Sequence, residues 1–289
     1  MKYINGEFIT DDILTAPLDD DSIHLIVTSP PYNVGIDYDL HEDNQPYEEY
    51  IDWLSDVFLM LKDKLVDGGR VCINIAPTGI KNFKPIHHDL ITNLRKGGYH
   101  FLTEILWYKQ NIKKRTAWGS FRSPRRPYIL PSWEYVYVMQ KGECLEKDSE
   151  AVKPDITADE FVRFSDGFWQ ILPEKEKNGH PVPFPWELVY RLVKFYTYPG
   201  NTVLDPFGGS GTVAAVCADT GRDFIYVDIS EDYTRLAKAK VGEIMNNSNS
   251  LFRENAHSAR AGKIAILPIK DINAIGVEDG SPNVLIKEP

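Results

Sequence analysis

Apolar residues in this chain fall into two alternating rhythms. The run IHLIVTS at residues 23–29 is β-branched and nearly continuous, as a strand buried on both faces requires. Residues 45–66 follow a different period, with Tyr47, Ile51, Leu54, Phe58, Leu61 and Leu65 at helical spacing. The glycines of Asp67-Gly68-Gly69 suit a left-handed cap and predict the end of that helix. A strand RVCINIA follows at 70–76, then a helix over 85–96 ending at Lys96-Gly97-Gly98. Two strands come next, FLTEILWYK and WEYVYVMQK, separated by a long loop. Residues 143–168 are polar and weakly patterned. A helix over 185–198 starts on Pro185, where the missing N–H costs nothing. Strand NTVLD, a glycine turn, helix TVAAVCADTG, strand FIYVD and a helix from Ser230 complete the series. At the N-terminus, residues 2–9 read as a strand and DDILTAPLDDDS as a short helix and turn. This alternation predicts a doubly wound α/β fold with a largely parallel sheet. After about residue 246 the composition shifts to NNSNS, and residues 247–289 read as a linker with a short appendix, including one β-like run, KIAILPI.

The chain has 289 residues, 43% of them hydrophobic, enough for one large domain with a small addition. Its three cysteines, Cys72, Cys144 and Cys217, form no paired motif, which points to a reducing compartment and a cytoplasmic protein. The first residues lack the apolar core of a signal peptide, and no run approaches the ~18 apolar residues of a membrane span. The net charge of −10 weighs against a nucleic-acid partner, but local charge decides binding. The stretch 109–126 carries Lys109, Lys113, Lys114, Arg115, Arg122, Arg125 and Arg126 with no acid, interleaved with Trp118 and Phe121. It reads as a phosphate-contacting surface or as an ordinary solvated loop.

Two stretches carry chemistry. In VLDPFGGSGTVAAV, 203–216, a glycine turn joins a strand to a helix, where open α/β sheets bind ligands. A phosphate loop would place Lys before Thr212; Gly211 stands there instead. Asp205 at the mouth would repel phosphate and suits a cation such as an ammonium or a sulfonium. Asp228 ends the next strand, 23 residues on, placed to accept hydrogen bonds from a ribose diol. Together they read as a site for a cationic nucleoside, S-adenosylmethionine; the bland alternative is a tight turn with two solvated acids. The second stretch, Thr28-Ser29-Pro30-Pro31-Tyr32, ends a buried strand in two residues that cannot donate to a sheet. Taken alone, it would be a proline-rich strand exit.

Together these residues resemble the DNA amino-methyltransferases of the β class. Ser29-Pro30-Pro31-Tyr32 is similar to that family's catalytic (D/N/S)PP(Y/F) motif, and Phe207-Gly208-Gly209-Ser210-Gly211 to its FxGxG cofactor motif. The catalytic motif comes first, the circularly permuted order of the class. Asn5-Gly6-Glu7, Trp107-Tyr108-Lys109, Glu134-Tyr135 to Lys141-Gly142 and His180-Pro181 to Phe184-Pro185 resemble further framework segments, so the likeness covers roughly residues 3–242.

The resemblance implies a Rossmann-like, seven-stranded methyltransferase domain over 1–246. It implies a small target-recognition segment about 143–179, and the basic block reads as a DNA-facing loop about 110–131. It implies S-adenosylmethionine bound by Glu7, Thr28, Phe184, Asp205, Pro206, Phe207, Gly208, Gly209, Ser210, Gly211, Thr212 and Asp228. Catalysis would fall to Ser29, Pro30, Pro31 and Tyr32, with Ser29 Oγ and the Pro30 carbonyl accepting the hydrogens of an exocyclic amine and Tyr32 stacking on a flipped base. Lys113, Lys114, Arg115, Arg122, Arg125 and Arg126 would hold double-stranded DNA. In this family a leading serine commonly goes with N4-cytosine, and aspartate or asparagine with N6-adenine. Cytosine N4 is therefore the first reading and adenine N6 the second. An RNA or protein-amide methyltransferase and a non-catalytic DNA-binding relative remain further alternatives. A paired restriction endonuclease, a homodimer and a prokaryotic or phage source complete what the resemblance implies. No metal site is expected: His87-His88 reads as a surface pair on its helix, without a third ligand at useful spacing.

Overall fold

The computed structural model describes residues 4–35, 44–79, 82–109, 119–129, 131–142, 152–174 and 183–247. The chain divides into a unit of residues 1–250 and one of residues 251–289. The predicted appendix, with its β-like run, lies outside the described residues.

The elements of the first unit follow the two rhythms of the sequence. They are β1 (Gly6–Thr10), β2 (Ile23–Thr28), α1 (Tyr47–Lys64), β3 (Leu65–Ile75), α2 (Ile86–Lys96), β4 (Tyr99–Tyr108), β5 (Trp133–Lys141), α3 (Ala158–Phe164), β6 (Phe168–Gln170), α4 (Trp186–Tyr196), β7 (Thr202–Asp205), α5 (Thr212–Thr220), β8 (Asp223–Asp228) and α6 (Glu231–Asn247). They form one sheet in the order β1-β8-β7-β2-β3-β5-β4-β6. Among these strands only β5 runs against its neighbours. It follows β4 through a loop, and an antiparallel partner needs no crossover helix.

β2 shows why the strand pattern is continuous. Leu25 and Val27 pack into the layer of α4 and α5 with Leu188, Leu192 and Val213. Ile26 faces the layer of α1 and α2 with Leu54, Phe58 and Leu90. Alternate residues point to opposite faces, and both faces are covered by helices. Cys72 and Cys217 are fully buried packing residues, as their apolar surroundings imply.

Four expectations change. Among the described residues the sheet has eight strands rather than seven. The extra strand, β6, starts at the last residue of the segment read as weakly patterned, and Phe164, Trp169 and Ile171 enter the core around it. Asp67-Gly68-Gly69 does not cap α1. The helix stops at Lys64 because Leu65 turns extended and pairs with Ile23, and the glycines form an irregularity within β3 before pairing resumes at Leu25↔Arg70. Residues 11–22 form turns rather than a helix: Asp12 Oδ1 accepts from Leu14 N at 2.9 Å, a local bond that competes with helix. His87 is buried and stacked on Tyr135 at 5.1 Å, not on the surface. Burial, and then His88, push its imidazole down to about 4.

Candidate functional site

Four neighbouring parallel strands deliver four loops to one edge of the sheet. Asp11-Asp12 follows β1, Ser29 to Tyr32 follows β2, Pro206 to Gly211 follows β7, and Ile229-Ser230 follows β8. A cavity of about 530 Å³ lies among them. Parallel strands align their carboxyl ends, so the cleft is a consequence of topology.

The glycine turn is built by close approach. Gly208 N donates to Val227 O at 2.9 Å, and Gly211 N to Gly208 O at 2.9 Å. Gly211 has φ +73° and caps α5, and a Cβ there would stand 2.4 Å from Ala237 Cβ. Glycine is therefore required twice over at that position. Asp228 organises the same turn: its carboxylate accepts from Gly209 N at 2.8 Å and Ser230 N at 2.9 Å, and it lines the cavity.

Asp205 is 4% exposed and also lines the cavity. Burial pushes its carboxyl up to about 7; the Thr28 hydroxyl and Phe207 N–H pull the other way, and Asp228 pushes further up. Two acids facing one cavity favour a positively charged ligand. Phe207 supplies an aromatic wall, packed on Trp53 at 5.8 Å. Two carboxylates, an aromatic ring and glycine backbone around this volume fit a nucleoside bearing a sulfonium.

The proline motif is held from below. Tyr50 Oη donates to the Pro31 carbonyl at 2.6 Å, so of the two proline carbonyls it is Pro30's that carries no donor among the described residues. Ser29 Oγ donates to Tyr32 Oη at 3.3 Å. Tyr32 Oη in turn has Asn74 O and Glu134 Oε2 as acceptors, each at 3.1 Å. Asn74 Nδ2 reaches Glu134 Oε2 at 2.9 Å, and Lys109 pairs with the other carboxylate oxygen. Burial first, and the Glu134 charge second, hold the Tyr32 phenol well above its ordinary range. Asn33 continues the brace: its amide exchanges two hydrogen bonds with the Gln45 backbone, at 2.7 and 2.8 Å.

The structure gathers Ser29, Pro30, Pro31, Tyr32, Phe184, Asp205, Pro206, Phe207, Gly208, Gly209, Ser210, Thr212 and Asp228 around the cavity. Thr28 and Gly211 do not line it; they stand behind, Thr28 beside Asp205 and Gly211 beneath α5. Glu7 is displaced from the role expected of it. It is exposed and pairs with Ile225, three positions before the carboxyl end of β1, whereas Asp11 and Asp12 reach the cavity.

Arg122, Arg125 and Arg126 are exposed on a loop that Ser120 closes, its Oγ accepting from Arg126 N at 2.7 Å and its N donating to Arg126 O at 3.0 Å. Lys113, Lys114 and Arg115 lie outside the described residues, as does part of 143–179. Asn74, Lys109 and Glu134 also face the cavity, a role the sequence motifs do not assign them. The signal for Lys109 and Glu134 lies in their framework segments; a lone buried asparagine in a strand offers none.

Residues 23–239 match the family described as DNA methylase, of the N6/N4 type. The chain is 43% identical over 177 residues to the type II methyltransferase M.MjaVI of Methanocaldococcus jannaschii, covering 61% of this chain and 90% of that protein. It is 31% identical over 267 residues to the type II methyltransferase M.MthZI of Methanothermobacter thermautotrophicus, covering 81% and 75%. Among solved structures it is similar to a Thermus thermophilus protein described as a putative DNA modification methylase, in complex with S-adenosyl-L-methionine. There the TM-score is 0.67 and the identity 27%, over 84% of this chain and 95% of that one. The cytosine-N4-specific PvuII DNA methyltransferase shares the fold, with a TM-score of 0.62 at 19% identity over 84% and 92%.

Proposed function

We propose, for a chain that belongs to the DNA methylase family, that it methylates the exocyclic N4 of a cytosine turned out of duplex DNA. The protein is a DNA methyltransferase of the N4/N6 amino type, with S-adenosylmethionine as cofactor and relatives that are type II methyltransferases. That cofactor supplies an electrophilic methyl group on a sulfonium. The work left to the chain is to make a poor nucleophile attack it.

An exocyclic amine is a weak nucleophile because its lone pair is delocalised into the ring. Two acceptors aimed at its hydrogens favour the pyramidal, attacking form and fix its direction. Ser29 Oγ and the Pro30 carbonyl are such a pair, and the Tyr50 bond to Pro31 fixes the peptide that follows. The observation that carries the cytosine reading is Ser29 itself. It is a neutral hydroxyl at the leading position of the motif, facing the cavity, and in the family it resembles a serine there commonly goes with cytosine N4, an acid or amide with adenine N6. Tyr32, fixed through its hydroxyl, offers a flat ring whose stacking offsets part of the cost of flipping, about 1–3 kcal/mol for a base on an aromatic side chain. Asp205 and Asp228 hold the cationic nucleoside. The arginines of the loop 119–129 contact DNA phosphates, and the type II relatives support a restriction endonuclease as the biological counterpart.

The test is direct. Unmethylated duplex DNA of mixed sequence is incubated with the protein and S-adenosylmethionine, digested to nucleosides and analysed by mass spectrometry. N4-methylcytosine is the expected product. N6-methyladenine would overturn the base assignment and leave the chemistry of Ser29 and Pro30 intact. Neither product would overturn the reading for duplex DNA.

A further inference from the structure

The bonds beneath the proline pair run in one direction. Ser29 Oγ donates to Tyr32 Oη at 3.3 Å, and Glu134 Oε2 lies 3.1 Å beyond as an acceptor. Glu134 divides its two oxygens: Oε2 faces the tyrosine and Asn74, and Oε1 carries Lys109. Lys109 also lies 4.7 Å from the centre of the Trp107 ring, held at the cavity wall. A chain of hydroxyl to hydroxyl to carboxylate is more than a brace requires. A brace for Tyr32 is complete with the Asn74 carbonyl, which is also 3.1 Å away.

The geometry points to a proton path, Ser29 to Tyr32 to Glu134, that removes the proton released when the amine is methylated. This inference rests on the reading of the protein as an amino-methyltransferase. A methylated amine begins with one hydrogen too many. Its N–H bond breaks as an O–H bond forms on Ser29. The proton Ser29 already held passes to Tyr32 Oη, and the tyrosine proton passes to Glu134 Oε2. Each hydroxyl ends neutral, with the number of protons it started with, and Glu134 ends as a carboxylic acid. No oxidant, reductant or further reactant enters. Glu134 touches no reacting atom; it acts through Tyr32 and Ser29. The elevated phenol of Tyr32 keeps it protonated, the state a relay needs between turns. Lys109 holds the carboxylate in place through Oε1 and leaves Oε2 to receive.

Single-turnover methylation of unmethylated genomic DNA, with enzyme in excess and labelled S-adenosylmethionine, tests the path. Glu134→Gln keeps the shape and loses the acceptor; Tyr32→Phe keeps the ring and cuts the chain. Each is expected to slow the methyl-transfer rate about 10²-fold, the lower end for a positioned proton acceptor, and the double variant no further. Cofactor affinity stays at the wild-type value. In mixtures of light and heavy water the wild-type rate is expected to fall along a curve, with more than one proton in flight. A Glu134→Gln rate equal to wild type overturns the path. So does a wild-type rate indifferent to heavy water, a measurement that holds whether or not a variant folds. A wild-type protein that methylates no DNA overturns the functional reading itself, which sets that failure apart from failure of the relay.

Discussion

A Cβ on Gly208 would stand 2.2 Å from Tyr226 Cε2. The tyrosine has no room to yield: it is fully buried, and its hydroxyl donates to Gly209 O at 2.8 Å. Gly208→Ala therefore moves the turn rather than the ring, and the turn moves into the cavity. The expected outcome is a loss of roughly 1–3 kcal/mol in stability and a drop of at least about tenfold in S-adenosylmethionine affinity. Denaturant unfolding and calorimetric titration measure the two. Gly242 supplies the control. It lies in α6 with nothing within 4 Å of a Cβ, so Gly242→Ala gains about 0.5–1 kcal/mol and leaves cofactor affinity alone.

Asp205 makes the free protein sensitive to pH. Burial raises its carboxyl from 3.8 to about 7, so the folded chain holds a proton that the unfolded chain releases near pH 4. Stability then falls as pH rises from about 4 to about 7 and is level above, because the native state binds the extra proton across that window. Asp205→Asn removes the slope. The variant equals wild type near pH 4 and exceeds it at pH 8, by an amount on the order of a few kcal/mol. Ligand binding shows the opposite dependence. A sulfonium favours the ionised carboxylate, so wild-type affinity rises about tenfold per pH unit up to about 7 and then levels. In Asp205→Asn the affinity is lower and flat across the same range.

That Asp205, Asp228 and the serine–proline motif would meet at one cavity was readable in the chain because each lies within a few residues of a strand end. A short segment carries its own chemistry there. Glu7 misled for the same reason: the local motif suggested an acid near the cofactor, but the register of β1 on β8 puts Asp11 and Asp12 at the mouth. Glu134, Lys109 and Asn74 become a unit only through pairing of β3, β4 and β5, with contacts spanning 25 and 60 residues in sequence. Leu65 shows the limit of periodicity. It continues the apolar stripe of α1 yet belongs to β3, because pairing with Ile23 buries it completely. The extra strand β6 was hidden by its length, three residues at the end of a polar stretch.

The loop at 119–129 predicts a salt dependence. Arg122 sits at φ +55°, Gly119 pairs with Pro127, and the bonds of Ser120 to residue 126 are bonds to backbone. The turn is therefore closed through backbone, and among the described residues the one further contact of a charged head is that of Arg126, 5.9 Å from the centre of the Tyr128 ring. Replacing both by glutamate is expected to weaken duplex DNA binding and to flatten the plot of log affinity against log salt by about 0.9 for each phosphate no longer neutralised. Cofactor affinity is unchanged. Unaltered DNA affinity in this variant would assign the block to solvent.

Arg222 is buried at 0% exposure and depends on one carboxylate. Asp155 takes its guanidinium in a fork, with distances of 2.6 and 2.7 Å, while the Thr197 and Thr220 carbonyls accept from the same group at 2.8 and 2.7 Å. Lys194 joins from α4, so residue 155 ties its loop to α4 and to the start of β8. Burial alone would raise the Asp155 carboxyl; Arg222 and Lys194 outweigh it and hold the group below its ordinary range. Its contribution is present above the unfolded value of 3.8 and is lost as pH falls through the folded one. Asp155→Ala leaves a cation buried without its partner, a change that costs about 3–5 kcal/mol. Replacing both partners costs less, since Asp155→Ala with Arg222→Met removes the stranded charge and keeps most of the volume. Unfolding midpoints of the two singles and the double at neutral pH separate these cases. A double variant less stable than Asp155→Ala would show that the carbonyl bonds of Arg222, rather than its charge pairing, hold this corner of the sheet.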